Sequence, residues 1–77
     1  MRIHYFAAAR AAAGLAEEEV AEFPTLELLL ADASSRHPDL TPILPRCSFL
    51  VDGKRSDADA SLEGASRVDV LPPFAGG

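Results

Sequence analysis

The chain is short of the residues from which catalytic centres are most often built. Its 77 residues contain one cysteine, Cys47, two histidines, His4 and His37, and no tryptophan. A single cysteine excludes an intramolecular disulfide and a thiolate metal cluster, because each needs more than one thiol. The histidines lack the short spacing of metal ligands, and nothing in the sequence supplies Cys47 with an activating base. We therefore expect no metal site, and we do not expect the chain to act as an enzyme on its own.

Long apolar runs and clustered glycines are missing as well. The longest apolar stretches, such as LELLLA, are too short to cross a bilayer, and MRIHYFAAAR lacks the apolar length of a signal peptide. The five glycines are scattered, so the chain has no glycine-rich phosphate loop. A net charge of −5 would repel a nucleic-acid backbone. The expectation is a cytoplasmic protein that binds neither membrane, nucleic acid nor cofactor.

Alternating apolar residues predict the strands that begin and end the domain. In RIHYFA, Ile3 and Tyr5 point to one face and Phe6 to the other, and in RVDVL the residues Val68 and Val70 point inward. Between them, EEEVAEF is charged enough to suit an edge strand that must not pair with neighbouring molecules. The run CSFLVDGK predicts a further strand, and its Asp-Gly pair predicts a tight turn into a short strand.

One helix is clear from the sequence. Thr25 caps the N terminus of PTLELLLADASSRHP, and apolar residues that recur at helical spacing from Leu26 form its buried stripe. Pro38 follows the helix, and the prolines up to Pro45 predict an irregular connection. The segment ARAAAG predicts only a short helical turn that ends at Gly14.

This order of elements predicts an α+β fold. The economical arrangement packs one main helix on one face of a mixed sheet, in a single domain over residues 1–77. Pro72 and Pro73 cannot donate ladder hydrogen bonds, so pairing should stop there and residues 72–77 should leave the sheet as a flexible tail. The acidic runs EEEVAE and DGKRSDAD are interpreted as a solvated face and a solvated turn, and the alternative is a docking surface for a basic partner.

Several segments, taken in order, resemble one known family. MRIHYFAAAR, FPTLELLLADASSRHP, the Asp52-Gly53 turn and LEGASRVDVLPPFAGG are similar to the small subunits of molybdopterin synthase, the MoaD-type sulfur carriers of the MoaD/ThiS family. The resemblance spans essentially the whole chain, and DVLPPFAGG is its most specific part. It implies a ubiquitin-like β-grasp fold, which agrees with the order of elements.

The chemistry implied by the resemblance takes place on Gly77. An activating adenylyltransferase uses ATP to adenylate the terminal carboxylate, and a sulfur donor protein supplies the sulfur that converts the acyl-adenylate to a thiocarboxylate. The small subunit then inserts this group into the large synthase subunit, in a heterotetramer, where sulfur passes to cyclic pyranopterin monophosphate. The chain itself would bind no cofactor and would be the non-catalytic, sulfur-donating subunit of a sulfurtransferase.

The other candidate residues guide that group or bind the partners. Ala75 and Gly76 have the small side chains needed to thread a narrow groove. Phe6, Leu71 and Phe74 are expected to form an apolar patch that contacts both the activating enzyme and the large subunit. Arg10 matches the basic position of the family's FAxxR pattern, where its role is either local packing or partner contact. The complete set of partner-binding candidates is Phe6, Arg10, Leu71, Pro72, Pro73 and Phe74.

Other functions fit the same sequence. The chain could be a sulfur carrier for thiamin thiazole or cysteine synthesis, although LPPFAGG favours the pterin pathway because thiamin carriers typically approach the tail with fewer prolines. It could instead be a ubiquitin-like modifier, with Gly77 joined to a lysine, or a β-grasp interaction module with an inert tail. For the docking patch, the plain alternative is that Phe6 is covered by its own chain.

Overall fold

Five strands form one mixed sheet in the computed structural model, which describes residues 1–73. They are β1 (Arg2–Tyr5), β2 (Glu17–Glu19), β3 (Ser48–Val51), β4 (Lys54–Ser56) and β5 (Arg67–Leu71). Their order across the sheet is β2-β1-β5-β3-β4, with β1 and β5 parallel and the other neighbours antiparallel. Each strand confirms a prediction from the sequence, and the charged strand β2 lies at an edge, as expected.

The core lies on one face of this sheet, covered by a helix of 11 residues, α2 (Leu26–Arg36). The helix begins after Thr25, whose hydroxyl accepts a hydrogen bond from the Leu28 amide at 3.4 Å, as the capping pattern predicts. The buried apolar residues are Ile3, Tyr5, Ala9, Leu26, Leu29, Ala33, Leu40, Leu62, Val68 and Val70. A helix packed on one face of a mixed sheet is the predicted β-grasp arrangement.

The segment after β1 forms a longer helix than the sequence predicts. This helix, α1 (Ala7–Ala13), has seven residues. Gly14 ends it in the left-handed conformation, with φ of 82°, and its amide donates to the carbonyl of Arg10 at 2.9 Å. Alanine has the highest helix propensity, and the buried Ala9 fixes the helix to the core. In a run made almost entirely of alanine, the buried and exposed positions have the same residue type. The length of the helix could therefore not be predicted from the sequence.

The proline-rich connection after α2 is built from two short 3-10 turns, Pro38–Leu40 and Leu44–Arg46. Leu40 is completely buried and belongs to the core. Ile43 and Leu44 are half-buried. The connection is irregular, as the prolines predict, but it packs against the domain and brings Arg46 to the start of β3.

The Asp52-Gly53 turn reverses the chain between β3 and β4, as predicted. Both residues have positive φ, 47° and 83°, as the tightest hairpin turns require. The Asp52 carboxylate also accepts hydrogen bonds from the amides of Ser66 and Arg67, at 3.0 and 2.9 Å. The turn therefore fixes the start of β5, the strand that leads to the tail.

One acidic residue departs from the predicted solvated face. Glu18 pairs with Ile3 in the sheet, so its side chain lies on the core side and is only 13% exposed. It accepts a hydrogen bond from the Tyr5 hydroxyl at 2.6 Å and contacts Arg36 at 2.5 Å and His37 at 2.9 Å. Burial raises the pKa of Glu18, but the hydrogen bonds from these three residues outweigh it and hold the pKa below its usual value. The contacts join the edge strand to the end of α2.

Candidate functional site

The carboxyl ends of β1 and β5 bring two candidate residues together. The two strands are parallel and pair Tyr5 with Val70, and the Phe6 amide donates to the carbonyl of Val70 at 3.2 Å. Phe6 and Leu71, each one residue further on, therefore occupy neighbouring positions at one end of the sheet. Since Tyr5 and Val70 are buried on the core side, the alternation places Phe6 and Leu71 on the face away from α2.

Phe6 is one of the large apolar residues exposed within residues 1–73, with 39% of its surface accessible. Its backbone is extended, and it precedes α1 as the N-cap without a side-chain hydrogen bond. Ala7 then adopts φ of 48°, which is uncommon for alanine and turns the chain sharply into the helix. The domain therefore leaves the Phe6 ring accessible to a partner.

The chain leaves the sheet through the two prolines. Leu71 is half-buried, Pro72 is buried and Pro73 is exposed. Pairing of β5 with β3 ends where Ser48 faces Leu71, because neither proline has an amide to donate. The domain therefore contacts the chain as far as Pro72, and Pro73 is exposed beside Leu71. We call Phe6, Leu71 and Pro73 the tail-base patch.

The remaining candidates follow directly on this patch. They are Phe74, Ala75, Gly76 and Gly77, and they lie outside the described residues. Docking through Phe74, threading through Ala75 and Gly76, and sulfur chemistry on Gly77 therefore stay predictions. The structure describes the surface from which they extend.

A groove of about 400 Å³ opens beside the tail-base patch. We call it the tail-base groove, and its lining residues are Ala8, Pro42, Ile43, Arg46, Pro72 and Pro73. Its walls come from α1, from the proline-rich connection and from the end of β5. Sequence reasoning missed this groove, because the path of a proline-rich connection leaves no periodic signal. The one available sign was Arg46, the single charged residue in TPILPRCSFLV.

Arg10 lies on α1, outside the tail-base groove. It is exposed and lines a shallow depression with Gly14 and Leu15. The arginines that form ion pairs within residues 1–73 are Arg2, Arg36 and Arg67. The Arg10 guanidinium, by contrast, has no ion-pair partner in this part of the chain, and its contact with a partner protein stays a prediction.

The opposite end of the same sheet face is ionic and internally paired. Arg2 pairs with Glu17 at 2.8 Å, and Arg67 pairs with Asp69 at 2.6 Å. These charges are satisfied within the chain. The apolar end beside the tail is therefore the part of this face that is better suited to bury against a protein partner.

Cys47 lies in surroundings that lower the reactivity of its thiol. The Cys47 thiol is half-buried and donates to the Ile43 carbonyl at 3.3 Å, and burial raises the pKa of this thiol. A raised pKa keeps the thiol protonated and makes it a weak nucleophile. From residue 1 to residue 73, no three or more His, Cys, Asp or Glu side chains are grouped to hold a metal ion. No helix in the same range has the length and apolarity to span a bilayer.

Comparison with known proteins gives one family match. The family model described as the ThiS family matches residues 3–77, nearly the whole chain. Among curated proteins, none matches the sequence significantly. The fold has several counterparts among solved structures.

Three of these structures superpose over almost their full length. SAMP1 from Haloferax volcanii has a TM-score of 0.84 at 19% identity, covering 99% of this chain and 97% of that one. Small archaeal modifier protein 1 from Methanosarcina acetivorans has a TM-score of 0.85 at 19% identity, with coverages of 99% and 94%. The Pyrococcus furiosus protein assigned as molybdopterin converting factor, subunit 1, has a TM-score of 0.79 at 25% identity, covering 95% of each chain. These likenesses confirm the ubiquitin-like β-grasp fold.

Proposed function

Because the chain belongs to the ThiS family of ubiquitin-like sulfur carriers, we propose that it is the small, sulfur-donating subunit of molybdopterin synthase. In this proposal Gly77 carries sulfur as a thiocarboxylate and donates it to cyclic pyranopterin monophosphate. The DVLPPFAGG end supports this pathway. So does the 25% identity with the Pyrococcus furiosus protein assigned as molybdopterin converting factor, subunit 1.

The tail-base patch is the observation that carries the proposal. Phe6 is exposed although it is large and apolar, and the pairing of Tyr5 with Val70 puts it next to Leu71, two residues before Pro73. A protein that covers this patch is in position to bind residues 74–77, which follow Pro73 in the sequence, within its own active site. Exposed aromatic residues that become buried on binding contribute much of the affinity of such interfaces.

The chemistry has to begin with activation, because a carboxylate is a poor electrophile. In the proposal, the partner enzyme transfers AMP from ATP to the Gly77 carboxylate and releases pyrophosphate. Sulfide released by the sulfur donor then attacks the acyl carbon as HS⁻, and AMP leaves with the electron pair of the broken C–O bond. The product is a thiocarboxylate whose sulfur is nucleophilic at neutral pH.

The acid–base groups of these steps belong to the partners. The chain itself acts as a non-catalytic subunit that binds no cofactor, and ATP is consumed by a ubiquitin-activating-type adenylyltransferase. A sulfur donor protein supplies the sulfur, and the large subunit accepts it in a cytoplasmic heterotetramer. Since one pterin needs two sulfurs, carriers must be used repeatedly or in pairs.

Intact-mass analysis tests the first half of this proposal. The chain is incubated with ATP, its activating adenylyltransferase and a sulfur donor, and the oxygen-to-sulfur mass increase is then localised by fragmentation. The expected result is an increase confined to Gly77. An unchanged mass favours an inert interaction module, and an adduct joined to a lysine favours a protein modifier.

The acceptor requires a second assay. The thiocarboxylated chain is mixed with the large synthase subunit and cyclic pyranopterin monophosphate, and molybdopterin is followed together with the loss of sulfur from Gly77. Formation of molybdopterin supports the pterin pathway. If the thiocarboxylate stays intact here but is consumed in a thiazole or cysteine synthesis assay, the chain serves that other pathway.

A further inference from the structure

Arg46 lies close to the point where β5 ends. The 3-10 turn Leu44–Arg46 leads into β3, which is antiparallel to β5 and pairs Ser48 with Leu71. If this register is continued past the last pair, Arg46 comes opposite Pro73. Arg46 and Pro73 also line the same groove. The guanidinium group therefore belongs to the base of the tail.

Within residues 1–73, the cations fall into two groups. Arg2, Arg36 and Arg67 each pair with a carboxylate at 2.5–2.8 Å. The described ion pairs do not include Arg10, Arg46, Lys54 or Arg55. Arg46 is thus an exposed charge without a carboxylate partner among residues 1–73, in a chain whose net charge is −5. The lining of the tail-base groove contains no acidic residue that could satisfy it.

The rest of the groove is apolar. Ala8, Pro42 and Pro73 are exposed there, and Ile43 and the buried Pro72 form its deeper part. A groove of about 400 Å³ is large enough for an apolar side chain of ordinary size. The chemistry of the site is therefore mixed, with an apolar floor and one positive charge.

We propose that the tail-base groove is a docking site for the activating adenylyltransferase, and that this partner inserts an apolar side chain flanked by a carboxylate that pairs with Arg46. The inference rests on the proposed function, since it concerns the same partner and extends its contact beyond the tail-base patch. Pro73 belongs to both the patch and the groove, so a protein that holds the chain beyond Pro73 lies against both. Charge complementarity then sets the sign of the partner's group.

The test compares charge variants in binding to the activating adenylyltransferase, measured by calorimetry without ATP. Arg46→Glu should weaken binding by about tenfold or more, because it sets two like charges against each other at an interface. Arg46→Lys should retain most of the affinity, since it keeps the charge. Arg55→Glu is the matched control, because Arg55 is also exposed and lies on β4 at the far edge of the sheet.

A second variant tests the apolar half of the groove. Ala8→Asp replaces an exposed wall residue in the first turn of α1, where an acidic side chain is compatible with the helix, so the domain should stay folded. Its carboxylate should repel the partner's and also weaken binding. When the partner's acidic residue is exchanged for arginine, the Arg46→Glu variant should regain binding, whereas the wild-type chain should bind this altered partner less tightly.

Each result decides the inference. Unchanged binding of Arg46→Glu, or an equal loss in Arg55→Glu, overturns it. Tighter binding of Arg46→Glu also overturns it, and indicates that Arg46 holds the chain's own tail in the unbound state. Failure of the proposed function looks different, since the wild-type chain then gains no sulfur on Gly77 even if its binding depends on Arg46. A wild-type chain that does not bind the enzyme at all overturns both.

Discussion

At the scale of single residues, Phe6 and Leu28 show how position gives an exposed apolar side chain its meaning. Both are large and exposed, at 39% and 49%. Leu28 lies on the outer surface of α2, with no candidate residue beside it. Phe6 adjoins Leu71 and the exit of the tail. Scattered exposed apolar residues are normal on protein surfaces, so the neighbours of Phe6 carry the argument.

The first prediction uses this pair. Phe6→Asp should weaken binding to the large synthase subunit and to the activating enzyme by about tenfold or more, as expected for loss of a central aromatic contact. Its thermal unfolding should stay close to that of the wild-type chain, because the ring is not part of the buried core. Leu28→Asp is the control and should bind normally. Equal binding of both variants, measured by calorimetry, would contradict the role of Phe6.

A second prediction at this scale concerns the buried end of Glu18. Glu18→Gln keeps the shape of the side chain but removes its charge, and hydrogen bonds to charged groups contribute about 1.5–3 kcal/mol each. We expect a free energy of unfolding lower by about 1–2 kcal/mol at pH 7, measured in urea. Glu22→Gln changes an exposed carboxylate and should have little effect.

The sign of the pH dependence follows from the lowered pKa of Glu18. A carboxylate with a lowered pKa in the folded state stabilises the fold above its usual pKa of 4.5, and this contribution is lost as the pH falls through the folded value. The gap between the wild-type chain and Glu18→Gln should therefore narrow below about pH 4.5. A gap of constant size from pH 7 to pH 3 would show that the charge of Glu18 is not responsible.

At the scale of elements, the sequence predicted the helix and the strands in which apolar and polar residues alternate with a regular period. The strands and the capped helix α2 were predicted because their apolar residues recur at the spacing of a strand or of a helix. The length of α1 could not, because it is almost entirely alanine. The burial of Glu18 depends on its register with Ile3, and that of Leu40 on the path of the proline-rich connection. The position of Arg46 depends on the same path, so the tail-base groove could not be predicted from the sequence. The outward orientation of Phe6 and Leu71 could be predicted, because side chains alternate between the two faces of a strand.

The C terminus of α1 gives a third prediction. Gly14 has φ of 82°, and a side chain added there would meet no atom within 4 Å. Gly14→Ala should therefore cost only backbone strain, about 1 kcal/mol, seen as a melting temperature lower by about 4–8 °C. Gly14→Asn should recover part of the loss, because asparagine tolerates this conformation better. Equal melting of the wild-type chain and Gly14→Ala would show that the left-handed cap is not needed.

At the scale of the whole molecule, the topology gathers the described parts of the site at one end. Parallel pairing of the first and last strands puts their carboxyl ends side by side. Phe6 at the start of the chain and Leu71 near its end therefore meet, and β3 brings Arg46 to the same place. Parallel pairing of terminal strands is a long-range property. Only the family resemblance predicted this pairing, because the alternation of residues shows which face of a strand is buried but not which strands are neighbours.

In the proposed function, a fixed number of residues separates the tail-base patch from the reactive group on Gly77, which gives the last prediction. One glycine added after Gly77 moves the carboxylate by up to about 3.5 Å along an extended chain. Displacement on this scale takes a reacting atom out of its productive position. The extended chain should therefore bind the large subunit with unchanged affinity and unfold at the same temperature, because the patch and the groove are intact. Yet it should yield no molybdopterin, and its own C terminus should gain no sulfur in the mass assay. Normal sulfur transfer from the extended chain would show that the tail is not positioned from the docking surface and would contradict the proposed use of Gly77.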